Sequence, residues 1–325
     1  MNVYVGFDSL SGFWREYDMR PELPSRAALT GCFRGIRDAR SVRISPHLFG
    51  AGPVHVCVPD GKFRTADPRF RYHVCSCKFP RNAWLDMGGG LFVASPELYF
   101  LQMAQTLSCA GLVLLGLELC GTYRLEAEGG FRSVRHPLAT ARGLGKFMRA
   151  AKGMPGRSKA QRALRWVVGG SASPMESMLA ARLCMSAMLG GYGLPLPALN
   201  ELMDLTPGQQ TVSGKLYLYG DLLWLEQGVL VEYDGEEWHS GREKMEQDAM
   251  RANAVSALGL QKFTVTASTY FDFVTFDALA HEVRHALGLR RIAATDEQVH
   301  GRRALVKELC EQEALLHEGF RGYCS

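Results

Sequence analysis

Hydrophobic positions in the second half of the chain change period several times. From residue 173 to about 289 the pattern predicts a helix over 173–190, strands over 215–224 and 229–234, a helix over 241–258, a strand over 260–266 and a helix over 275–287. Gly259 falls where a glycine ends a helix. In the first half, short alternating runs such as Val54-His55-Val56-Cys57-Val58 and Tyr72-His73-Val74-Cys75 read as strands separated by turns. A helical stretch over 95–119 follows, opened by Ser95 as cap and Pro96 in its first turn. Its most apolar part, 110–117, is too short to cross a bilayer and runs straight into Glu118. The expected class is α/β: an α+β domain over 1–125, a helical connector over 126–172, a mixed sheet flanked by helices over 173–290, and a charged helical tail over 291–325.

Composition changes this picture little. With 325 residues, 47% hydrophobic and 22% charged, the chain is long enough for two cores. A net charge of +4 does not by itself argue for nucleic acid, but its distribution does. Between Glu128 and Glu176 no acidic residue occurs, while Arg132, Arg135, Arg142, Lys146, Arg149, Lys152, Arg157, Lys159, Arg162 and Arg165 all lie there. A segment of one sign is a footprint for phosphate, or else a solvated helical surface that pairs with acids elsewhere. The chain opens without a basic stretch leading into an apolar run, so a cytoplasmic location is expected, with its nine cysteines reduced. His55, Cys57, His73, Cys75 and Cys77 are metal-ligand types. Their period of two fits paired strands better than zinc, because the spacing lacks the usual C-x₂₋₄-C pairs.

The chemistry concentrates in 216–240. The two strands there read as a hairpin turning at Glu226-Gln227, and counting outward sets Asp221 opposite Glu232, with Asp234 two residues further on the same face. Opposed like charges among Leu222, Leu223, Leu230 and Val231 are costly unless something compensates them. Mg²⁺ would do so, because it takes one or two carboxylates and leaves room for water and phosphate. His239 follows closely and is a candidate for proton transfer. Lys244, Asp248 and Arg251 recur along one helix face, with salt-bridging as the plain alternative, and Lys262 lies on the next strand. Ser173-Pro174-Met175-Glu176 is a capping box, which alone explains Glu176; an outer ligand role is the other reading.

Taken in order, Ser173-Pro174 with Glu176, Gly193-Leu194-Pro195 with Pro197, Gly220-Asp221, Val231-Glu232-Tyr233-Asp234-Gly235 with His239, and Asp248 with Arg251 resemble the endonuclease-like domain related to very-short-patch repair nucleases, within the PD-(D/E)xK superfamily. The resemblance covers about 173–270. It implies a restriction-endonuclease-like core that cuts DNA with Mg²⁺. Asp221, Glu232 and the Tyr233 carbonyl would be ligands, and Asp234, His239 and Glu176 would belong to the catalytic group. Asp234 stands where the superfamily usually has lysine, as it does in the nearer family; His239, Lys244 and Lys262 are candidates to replace that lysine. More weakly, Val54–Val58 and Phe92-Val93-Ala94-Ser95-Pro96-Glu97 resemble part of AbiEi-type antitoxins, transcriptional regulators of abortive-infection systems, without their winged helix.

The expected function is a Mg²⁺-dependent DNA endonuclease with a role in phage defence or repair. Its DNA backbone contacts would come from Arg142, Lys146, Arg149, Arg157, Lys159, Arg162, Arg165, Lys244, Arg251 and Lys262. The competing expectation is a non-cleaving DNA-binding regulator with a toxin partner.

Overall fold

In a computed structural model the chain divides into two compact units, Met1–Val167 and Val168–Ser325. The structure describes residues 2–17, 29–31, 33, 49, 52–126, 129–235, 242–290 and 293–314. Residues 126–167 of the expected connector belong to the first unit, and the described part of the expected tail belongs to the second.

The first unit contains β1 (Val3–Val5), α1 (Leu10–Glu16), β2 (Leu29–Thr30), β3 (Val54–Val58), β4 (Phe70–Val74), β5 (Trp84–Asp86), β6 (Leu91–Ala94), α2 (Pro96–Met103), α3 (Cys109–Cys120), β7 (Tyr123–Leu125), β8 (Phe131–Ser133), α4 (Ala141–Ala150) and α5 (Arg157–Ala163). Six strands form one mixed sheet in the order β2-β5-β6-β1-β3-β4, and β7-β8 is a separate hairpin. The single helix expected over 95–119 is two. Ser95 Oγ accepts from Leu98 N–H to start α2, and Ser108 Oγ accepts from Gly111 N–H at 3.0 Å to start α3. The turn residues at Pro59–Lys62 do not join an antiparallel hairpin. Asp60 caps a short 3₁₀ turn, and β4 returns parallel to β3, with Cys57 opposite His73.

The second unit contains α6 (Pro174–Cys184), β9 (Ala198–Asp204), α7 (Pro207–Ser213), β10 (Tyr217–Trp224), β11 (Val229–Asp234), α8 (Arg242–Ala257), β12 (Gln261–Thr266), α9 (Ala267–Phe271), α10 (Phe273–Ala286) and α11 (Asp296–Ala314). Its sheet runs β12-β11-β10-β9; β9, β10 and β11 are antiparallel neighbours, and β12 is parallel to β11. That last pairing needs a crossover, which α8 supplies. Met203, Leu205, Leu218, Leu223, Leu230, Ala254 and Val255 form a core that fixes α8 on the sheet, with Leu258 and Leu260 packed against it. Both units are therefore mixed α/β, with mixed sheets flanked by helices. No helix among the described residues is long and apolar enough to cross a membrane.

Candidate active site

The hairpin forms in the register that the sequence predicts. Leu222 pairs with Val231, Leu223 with Leu230 and Trp224 with Val229. The turn spans Leu225–Gly228: Gly228 N–H donates to the Leu225 carbonyl at 3.1 Å, and Gly228 has a φ of +64°, which suits glycine. One residue before Leu222, Asp221 turns its side chain to the facing strand. Its Oδ2 accepts the Tyr233 N–H at 2.9 Å, which holds the carboxylate against β11 next to Glu232.

Glu232 is buried, at 5% exposure, and two cations neutralise it. Lys262 pairs with Leu230 on the adjoining strand, and its Nζ reaches Glu232 Oε2 at 2.7 Å. Arg251, on α8, donates from Nε to Oε2 at 3.1 Å and from Nη2 to Oε1, and Nη2 also reaches the Tyr219 carbonyl at 2.9 Å. Burial alone would raise the Glu232 pKa. Hydrogen bonds and charge from Arg251 and Lys262 outweigh it and hold the carboxyl below its ordinary value. Arg251 and Lys262, expected as DNA contacts, thus both close on Glu232.

Asp221 has the opposite character. Burial, and then the neighbouring Glu176 and Glu232 carboxylates, push its pKa up to about 7, against the Tyr233 N–H and Arg251, which lower it. Glu176 begins α6 and is itself buried. It accepts from Ala172 N–H at 2.8 Å, from Ser173 Oγ at 2.9 Å and from Asn200 Nδ2. Burial raises its pKa too, and those donors oppose the rise. Glu176 therefore both closes the cap of α6 and adds charge beside Asp221.

Asn200 is the residue that sequence reasoning missed. It has a φ of +48° in β9, and its amide also donates to the Gly170 carbonyl at 3.1 Å. Its one sequence signal is its residue type, since asparagine tolerates the left-handed region better than most.

The other sequence-predicted residues divide three ways. Asp234 is exposed at the end of β11, opposite Thr266. His239 lies outside the described residues; Lys244 is on α8, with its side chain also outside them. In the first unit Arg142, Lys146 and Arg149 stand exposed on α4, as do Arg162 and Arg165 further on. Arg157 and Lys159 instead donate to the Met148 and Leu107 carbonyls at 2.8 and 2.9 Å, tying α5 to its neighbours.

The donors here are hard oxygens, which suit Mg²⁺ in type. Among the described residues no three His, Cys, Asp or Glu side chains are grouped to hold a metal ion by themselves. An ion at this site would rest on Asp221 and Glu232, with the Tyr233 carbonyl added by the resemblance, and water and phosphate would complete its shell. The raised pKa of Asp221 fits such a role, because a divalent ion would take the place of the proton. No protein-family profile matches the chain, and no curated protein and no solved structure matches it either.

Proposed function

We propose that the second unit is a restriction-endonuclease-like core that hydrolyses DNA phosphodiester bonds with Mg²⁺. The observation that carries this reading is the pair of carboxylates on neighbouring strands, Asp221 and Glu232, with Lys262 reaching Glu232 from the third strand at 2.7 Å. Two acids and a lysine on three adjacent strands are the groups such chemistry uses, and Lys262 takes the part that Asp234 cannot.

Asp221 and Glu232 would hold the ion, which when bound polarises a phosphate oxygen and activates water. Asp221 gives up its proton to accept it. Arg251 fixes the Glu232 carboxylate by two hydrogen bonds, which limits its rotation. Lys262 leaves Glu232 for the phosphate and balances its growing charge. Glu176, locked by Ser173, Ala172 and Asn200, adds negative potential that favours a cation at Asp221. The exposed arginines and lysine of α4 hold the DNA backbone without reading sequence.

A second reading has its own observation in favour. Arg251 and Lys262 already neutralise Glu232, so the fold needs no ion there. That suits a non-cleaving DNA-binding regulator of the antitoxin kind.

Plasmid incubated with the protein, with Mg²⁺ or with EDTA, separates the two. Under the first reading supercoiled plasmid is nicked with Mg²⁺ only, and Asp221→Ala and Lys262→Met each lower the rate at least about a hundredfold. Cleavage that survives both EDTA and Asp221→Ala refutes it. A mobility shift without cleavage selects the regulator.

A further inference from the structure

The first unit carries a cysteine cluster that the phosphodiester site does not use. Cys57, in β3, is 1% exposed, and Gln102 Nε2 donates to its sulfur at 3.4 Å. Cys57 lies opposite His73 across the parallel ladder, which closes where Cys75 N–H donates to the Val58 carbonyl at 2.7 Å. Cys75 comes two residues after His73, on the same side of the sheet as Cys57. It is half-buried and lies just past the last residue of β4. Both thiols are free. Cys75 and Cys77 line a cavity of about 400 Å³, together with Arg64, Tyr72 and His73.

The two sulfurs are unlike each other. Burial pushes the Cys57 thiol well above its ordinary pKa, and a hydrogen bond between the thiols draws Cys75 below its own. Cys75 is the half-buried thiol at the cavity wall, so it is the one a reactant reaches, while the enclosed Cys57 stands behind it. His73 plays no cationic part. Burial first, then the neighbouring His55 and Arg71, bring its pKa to about 4, while its ring stacks on Phe7 at 3.7 Å.

We propose that Cys75 and Cys57 are a redox-active dithiol, in which Cys75 attacks hydroperoxides entering the cavity and Cys57 resolves the product as a disulfide. The Cys75 thiolate forms a bond to the outer peroxide oxygen and the O–O bond breaks. Cys75 becomes a sulfenic acid, and the departing alkoxide or hydroxide takes a proton. The Cys57 sulfur then bonds to the Cys75 sulfur, and the hydroxyl leaves as water. In sum, two thiols lose two electrons, and the peroxide is reduced to an alcohol, or water, plus water. A disulfide spans Cα atoms roughly 4.4–6.8 Å apart, closer than diagonal neighbours on adjacent strands ordinarily lie. Closure therefore draws Cys75 inward, and Ser76 and Cys77, which follow the strand end, move with it.

The test takes the full chain, reduced, and treats it with one equivalent of hydrogen peroxide. The intact mass should fall by two hydrogens, peptide mapping should link Cys57 to Cys75, and alkylation of Cys75 by iodoacetamide should drop at least about tenfold until dithiothreitol restores it. Cys57→Ser should stop at a sulfenic acid on Cys75 that dimedone traps, and Cys77→Ser should still form the link. Unchanged alkylation of Cys75 after peroxide overturns the proposal. So does a link from Cys75 to Cys77, or loss of the link in Cys77→Ser.

Discussion

Replacing Asp221 by asparagine should flatten the pH dependence of folding stability. The asparagine side chain is isosteric with the protonated acid and keeps an oxygen for the Tyr233 N–H. In the folded chain the Asp221 pKa is raised from 3.8 to about 7, burial being the largest cause. A carboxyl raised in this way stabilises the folded state fully below its unfolded pKa. That stability is lost as pH rises, because the unfolded chain releases the proton first and the loss ends only above the folded value. The gap of about 3 pH units, at ~1.4 kcal/mol each, sets an upper bound of about 4 kcal/mol. Between pH 5 and pH 8 the part that changes is about 2–3 kcal/mol, less whatever solvent reaches the half-buried carboxyl.

Urea unfolding of wild type and Asp221→Asn at pH 5 and pH 8 measures this directly, since the other titrating groups cancel between the two proteins. Wild type should lose about 2 kcal/mol more than the variant over that interval. Under the nuclease reading, millimolar Mg²⁺ at pH 8 should return part of the loss to wild type and none to Asp221→Asn. Parallel pH curves for the two proteins would show that the carboxylate is already compensated, and the electrostatic account of Asp221 would fail.

Two further outcomes follow from the same geometry. Glu232→Ala leaves Arg251 and Lys262 beside each other without their shared acid; because both cations keep access to water, it should cost about 1–3 kcal/mol in urea unfolding, and a loss below about 0.5 kcal/mol would mean that the triad contributes little. The triple change Arg142→Ala, Lys146→Ala and Arg149→Ala touches only exposed residues of α4. It should lower DNA affinity measured by fluorescence anisotropy and reduce the slope of log Kd against log salt by about 3, whereas an unchanged slope would remove α4 from the proposed DNA contact.

What is legible in the sequence is what local pattern controls. The β10–β11 hairpin can be counted into register because its turn is short and its flanks are apolar on both sides. The sequence 198–204 does not read as β9, because Ala198, Leu199, Glu201, Leu202 and Met203 are good helix formers and burial along the strand does not alternate: Leu199 and Met203 are buried, whereas Glu201 and Leu202 are both exposed. Asn200 is hidden for the same reason, since its place beside Glu176 depends on a left-handed backbone inside a strand that the pattern does not announce. The parallel course of β4 is equally hidden, because turn residues report a change of direction and not the path that follows.

The site itself shows where local reasoning reaches its end. Opposed carboxylates predict compensation, and the candidate agents are a proton, a side-chain cation or a metal ion. Choosing among them needs distances. Without an ion, the fold compensates the two acids differently. Asp221 keeps affinity for a proton up to about 7, while Arg251 and Lys262 neutralise Glu232. A divalent ion would then have to displace a proton from one carboxylate and an ammonium group from the other. Under the nuclease reading its affinity should therefore rise with pH through the range where Asp221 titrates, and Lys262→Met should strengthen ion binding even as it weakens the proposed cleavage. A purely structural ion pair predicts neither, so the binding isotherm of Mg²⁺ at pH 6 and pH 8, for wild type and Lys262→Met, separates a dormant salt bridge from a catalytic centre at rest.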